Sequence, residues 1–216
     1  MKNNIVFSII LVVFFCKSYS QDTTLKVVKS TTFEETNELY SSSIESYKQN
    51  EFWGIWSVPV GEGKASYSLP SVNGLDYSYE NLEDYDLNTA WMVPNFGIGQ
   101  YLEFKIDLLD DDIAAYQFQG ITNLFNGYCK SLALWKANSR VKRLKVYLND
   151  VPLCYVDLVD TWHFQSFDIS KYLQADKLQN VPKSNNCVRF EIVDIYKGTK
   201  YKDVGFSEFL CEGAGN

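Results

Sequence analysis

From Tyr101 to Leu108 the chain reads Tyr-Leu-Glu-Phe-Lys-Ile-Asp-Leu, so that Leu102, Phe104, Ile106 and Leu108 alternate with Tyr101, Glu103, Lys105 and Asp107. A period of two sends apolar side chains to one face and polar ones to the other, which predicts a strand with one buried face. The same alternation returns at Leu144, Val146 and Leu148. It recurs at Cys154, Val156 and Leu158 after an Asn149-Asp150 turn, and at Val188, Phe190 and Ile192. No long helical period and no internal repeat accompanies it. Short strands parted by turns of Gly, Asn, Asp and Pro predict an all-β fold, a β-sandwich rather than a βαβ array. Phe52 to Val60, dense in aromatics, is expected to open the folded domain; its two tryptophans suit core packing or a sugar-stacking platform. The preceding stretch is rich in Thr, Ser and Glu, with Leu39, Tyr40, Ile44 and Tyr47 able to line a short helix. The expected organisation is a leader over 1–20, a linker or loosely held segment over 21–52, and one domain over 53–216.

The ends and the charge narrow the class. Lys2, an apolar run from Ile5 to Cys16, and small residues near Ser20 have the order of a secretory signal peptide. The run is shorter than the roughly 20 residues that a spanning helix needs, and no longer one follows, so no membrane span is expected. Phe14 and Phe15 stand where a lipid anchor at Cys16 would want small residues. An exported protein, secreted or periplasmic, is the expectation. The formal charge of −7 disfavours nucleic acid, which attracts basic surfaces. Cys129, Cys154, Cys187 and Cys211 remain after the leader, as disulfides in any of several pairings or as buried thiols. Their wide spacing argues against zinc.

Two stretches carry candidate chemistry. Leu82 to Trp91, Leu-Glu-Asp-Tyr-Asp-Leu-Asn-Thr-Ala-Trp, gathers Asp84, Asp86, Asn88 and Thr89 into one loop. Clustered oxygen donors suit calcium, while the same residues also make ordinary polar turns. The loop is not an EF-hand, which needs a turn glycine and a twelfth-position glutamate; Asn95 stands there. The second stretch, from Asn126 through Arg140, offers Tyr128 and Trp135 as rings, with Asn126, Lys130, Asn138 and Arg140 as polar partners. That mix suits a shallow sugar site, and it suits equally a loop that packs on itself. Catalysis finds little support: the single histidine, His163, has no Cys or Ser partner at a recognisable spacing, and no nucleophile elbow or zincin motif occurs. Acid runs such as Glu83-Asp84 and Asp110-Asp111-Asp112 need a cleft before they could act as a glycosidase pair.

The ordered set Asn81-Leu82, Asp84, Asp86, Thr89-Ala90-Trp91, Gly97-Ile98-Gly99, Asn126-Gly127-Tyr128, Lys130, Trp135, Asn138, Arg140-Val141-Lys142, Tyr196, Gly198, Lys200-Tyr201, Asp203 and Ser207-Glu208 resembles the glycan-binding translocation domain of bacterial NAD glycohydrolases. That domain is similar to the discoidin, or coagulation-factor type C, group. The resemblance covers roughly residues 53 to 212. It implies a galactose-binding-like jelly roll, a non-catalytic glycan-binding module, and ligand contacts on loops at one end of the sandwich. It further implies a structural calcium held by Asp84, Asp86, Asn88 and Thr89 with Glu208 from the last strand. Tyr85 departs from the group's usual glycine, at a turn where positive φ strains any residue with a Cβ. The candidate ligand-contacting set, read from the residues themselves, is Asn126, Tyr128, Lys130, Trp135, Asn138 and Arg140, for a sugar left unspecified. A protein-interaction or adhesion module with a protein partner is the alternative on the same fold.

Overall fold

The computed structural model describes residues 25–32, 63–106, 117–173 and 185–214. Strand β1 spans Val27–Lys29, β2 Thr31–Thr32, β3 Gly63–Ala65, β4 Trp91–Val93, β5 Tyr101–Ile106 and β6 Gln117–Asn126. After helix α1 (Leu132–Ala137) follow β7 Arg140–Leu148, β8 Val151–Asp157, β9 Gln165–Asp168, β10 Asn186–Tyr196 and β11 Val204–Ala214. The first sheet runs β1-β8-β7-β10-β5-β3 and the second β2-β9-β6-β11-β4. Every pairing between these strands is antiparallel except that of β1 with β8.

The alternating runs are what face inward. Leu102, Phe104 and Ile106, Leu144, Val146 and Leu148, Cys154, Val156 and Leu158, and Val188, Phe190 and Ile192 are all buried. They meet the second sheet at an aromatic centre, where Phe104 stacks on Phe209 at 5.8 Å and Phe190 stands edge-on to Phe209 at 5.1 Å. Each such side chain stabilises the fold by about 1.5–3 kcal/mol relative to exposure, so the period-two burial of the first sheet, packed on the buried aromatics of the second, is sufficient to define the core. The result is the β-sandwich that the pattern predicts and the jelly roll that the resemblance implies.

Two expectations change. The part of the 21–52 segment at Val27–Thr32 is no loose linker: β1 joins the first sheet, β2 joins the second, and Ser30 between them is buried. Its hydroxyl donates to Gln165 Oε1 at 2.6 Å and accepts from the Val159 amide at 3.0 Å, so the crossing is held by long-range bonds that no local pattern announces. Likewise α1 forms where no helical period is visible, because a six-residue helix is too short to show one. Cys129, Cys154, Cys187 and Cys211 are free thiols. Burial pushes Cys129 and Cys154 up to about 12. The leader, residues 33–62 with the Phe52–Val60 run, Leu108 and Asp110–Asp112 lie outside the described residues. Among those described, no helix is long and apolar enough to cross a membrane.

Candidate functional site

Between β6 and β7 the chain makes a self-contained lock. Gly127 turns at φ 99°, and a Cβ there would stand 2.7 Å from the Arg140 side chain and 3.0 Å from the Trp135 ring, so only glycine fits. Asn126, 0 % exposed, donates to the Val141 carbonyl at 2.7 Å and accepts from the Val141 amide at 3.0 Å. Trp135, 8 % exposed, donates its indole N–H to the Asn126 carbonyl at 2.8 Å. Arg140, 7 % exposed, lies 4.5 Å over that indole and donates to both carboxylate oxygens of Asp160 and to the Asn138 carbonyl. Desolvated guanidinium donors paired in this way hold the turn and the start of β7 together.

Beside this lock lies a pocket of about 440 Å³, within the range of roughly 300–1,000 Å³ typical of small-molecule sites. One wall is the 69–77 segment, which is fastened at both ends to β4: Leu69 donates to the Met92 carbonyl at 2.8 Å, and Met92 donates to the Tyr77 carbonyl at 3.3 Å. Its tip is a two-residue hairpin, Val72 and Leu75 exchanging backbone bonds around Asn73 and Gly74, both at positive φ. Asn-Gly is the preferred pair for such a primed turn. The opposite wall is α1. Ser131 caps its start by accepting from the Leu134 amide, and the amides of Thr199, Lys200 and Tyr201 bond its last carbonyls. That docking sets Tyr201 and Asp203 on the pocket beside Leu134 and Asn138.

The pocket's polar groups are of two kinds. The Tyr128 hydroxyl donates to the Asn88 carbonyl at 3.0 Å, and the Asn138 amide donates to the Leu134 carbonyl at 2.9 Å. By contrast, the Tyr77 and Tyr201 hydroxyls, the Lys130 ammonium and the Asp203 carboxylate have no hydrogen-bond or ion-pair partner among the described residues. Burial raises the Asp203 carboxyl above its ordinary value.

Tyr128 ties the pocket to the oxygen-rich loop. There Tyr85 adopts φ 59°, so the turn that glycine usually makes is kept by a tyrosine at some cost in strain. Asp84 accepts from the Asp86 amide and the Thr89 hydroxyl; Asp86 accepts from the amide and side chain of Asn88. The carbonyls of Asp86, Asn88 and Thr89 accept from Thr89, Tyr128 and Ser207. Glu208 is fully buried on β11, one residue from that Ser207 contact. As folded, then, the loop's oxygens serve donors of the loop itself and the hydroxyls of Tyr128 and Ser207. No three His, Cys, Asp or Glu side chains converge as a metal group among the described residues.

Of the six residues expected at the ligand, the structure brings Tyr128, Lys130 and Asn138 to the pocket and sets Asn126, Trp135 and Arg140 in the lock behind it. It adds Tyr77, Tyr201, Asp203 and the apolar wall, none of which composition marks out; Tyr201 and Asp203 stand within the family pattern but had no role assigned.

A model of the NAD glycohydrolase translocation F5/8 type C domain matches residues 57–212. Among solved structures, the CBM32-1 and CBM32-2 domains of Clostridium perfringens ZmpB, determined in complex with GalNAc, align at 13% identity and TM-score 0.48 over 87% of this chain and 40% of that one. A ZmpB structure of CBM32-1, CBM32-2 and the M60 catalytic domain aligns at 11% identity and TM-score 0.45, over 91% of this chain and 18% of that one. The chain thus spans less than half the length of either. No curated protein matches its sequence.

Proposed function

We propose that this chain, which belongs to the NAD glycohydrolase translocation F5/8 type C domain family, is an exported, non-catalytic carbohydrate-binding module whose ligand sits in the pocket between the 69–77 segment and α1. The observation that carries this reading is the pocket's division of labour: tyrosine rings and an apolar wall for a sugar's C–H face, with Lys130, Asp203 and two tyrosine hydroxyls, none of them bonded among the described residues, for its hydroxyls. A glycan-array screen tests it. Retention of a defined sugar set, lost in Tyr201→Ala, is the expected result; a blank array with folded protein would remove the glycan reading. A second reading, a protein partner, is favoured by the exposed apolar hairpin tip of Val72 and Leu75. Free sugar displaces the ligand in the first case only.

Calcium is a separate proposal for Asp84, Asp86, Asn88, Thr89 and Glu208. A cation there would take the carboxylates and carbonyls that now accept bonds within the loop, an exchange that the density of oxygens supports. Because a ligand of the native state stabilises it by mass action, bound calcium raises the melting temperature and chelation lowers it. Identical melts in calcium and chelator remove the ion from the account.

A further inference from the structure

The chemistry at the pocket's mouth narrows the class of sugar. The chain as a whole is acidic, with net charge −7. Yet Lys130 lines the pocket, with Lys136 on α1 and Lys200 in the 199–201 segment that docks against α1. None of the three is ion-paired among the described residues, and Lys200 lies 4.8 Å over the Tyr201 ring. Most of the acids nearby are committed. Asp76 accepts from Ser71 and Ser78, and Asp86 is bonded to Asn88. Asp203 alone of the acids lines the pocket; among the described residues its carboxylate has no partner and makes no salt bridge with Lys130.

A ligand that uses all of this needs an anion for Lys130, an N–H or O–H donor for Asp203, and an apolar substituent for the lining of Leu69, Met92 and Leu134. A neutral hexose supplies only the donor; a uronic acid lacks the apolar substituent; a neutral N-acetylhexosamine lacks the anion. We infer that the ligand is an N-acylated acidic sugar, with its carboxylate at Lys130, its acyl methyl on the apolar wall and an N–H or O–H donated to Asp203. This inference rests on the carbohydrate reading and goes further than it.

The test is titration calorimetry of the full chain with N-acetylneuraminic acid, N-acetylgalactosamine and glucuronic acid, repeated for Lys130→Gln and Asp203→Asn. N-acetylneuraminic acid is expected to bind most tightly, with affinity falling as salt rises. Since a hydrogen bond to a charged group contributes about 1.5–3 kcal/mol, each substitution is expected to weaken it about tenfold or more. Equal affinity for N-acetylgalactosamine, or no loss in Lys130→Gln, overturns the acidic-sugar inference while leaving a carbohydrate module. Binding of none of the three, in a chain whose melt shows it folded, overturns the inference; a blank glycan array is what would remove the wider reading as well.

Discussion

In the lock of Asn126, Trp135 and Arg140, the guanidinium spends its donors on Asp160 and Asn138 and covers the indole face; in the adjoining pocket, the side chains of Lys130 and Asp203 have no partner among the described residues. Both regions draw on rings and charged side chains of the same loop-to-strand passage. What separates them is commitment. Buried polar groups must be paired at folding, because an unmet donor or acceptor costs about 1–3 kcal/mol, whereas a group at a pocket mouth keeps water until a ligand replaces it. A polar residue next to an aromatic ring is therefore a poor guide to a binding site until its partners are known.

Substitutions on each side of that divide should separate stability from binding. The largest effect belongs to the lock: Trp135→Ala removes a buried indole and is expected to cost about 3–5 kcal/mol, read as a lower denaturant midpoint. An unchanged midpoint would mean that the lock does not hold the loop. Asn126→Ala, which strips both bonds to Val141, should cost about 1–3 kcal/mol by the same measurement. Tyr201→Ala is the converse case. The ring is 39 % exposed, so stability should hold within about 0.5 kcal/mol while glycan retention is lost. Loss of both together would place Tyr201 with the lock.

The smallest effect is electrostatic. Burial raises the Asp203 carboxyl, so the folded state holds its proton more tightly than the unfolded chain does. The stability linked to that proton is present below the ordinary carboxylate value of about 3.9 and is lost as pH rises through the raised folded value. Asp203→Asn, which cannot ionise, should match the parent's melting temperature in acid, move above it across that window, and keep a constant lead at higher pH. Parallel melting curves at every pH would show that Asp203 is solvated as freely as in the unfolded chain.

The alternation at Tyr101–Ile106, Leu144–Leu148, Cys154–Leu158 and Val188–Ile192 is legible because burial of one strand face imprints period two locally, whatever the partner strand. It determined an all-β sandwich, and the ordered pattern from Asn81 to Glu208 determined the family. β6 and β11 escaped the pattern: β6 reads as turn chemistry from Ile121 on, and β11 buries Phe206 together with Phe209 and Leu210, so neither alternates cleanly. β1 and β2 escaped because two strands of three and two residues have no period to show.

At the site, the chain by itself marked the glycine turn, the rings and the cations. Only the tertiary structure decided which of them would be spent. Arg140 is sequestered by Asp160, Trp135 by the Asn126 carbonyl, and Tyr128 by Asn88, whereas docking of 199–201 onto α1 brings Tyr201 and Asp203 to the opening. Local sequence records how often a side chain must face inward. It does not record which distant donor or acceptor will meet that side chain, because that is set by through-space geometry once the sheets close.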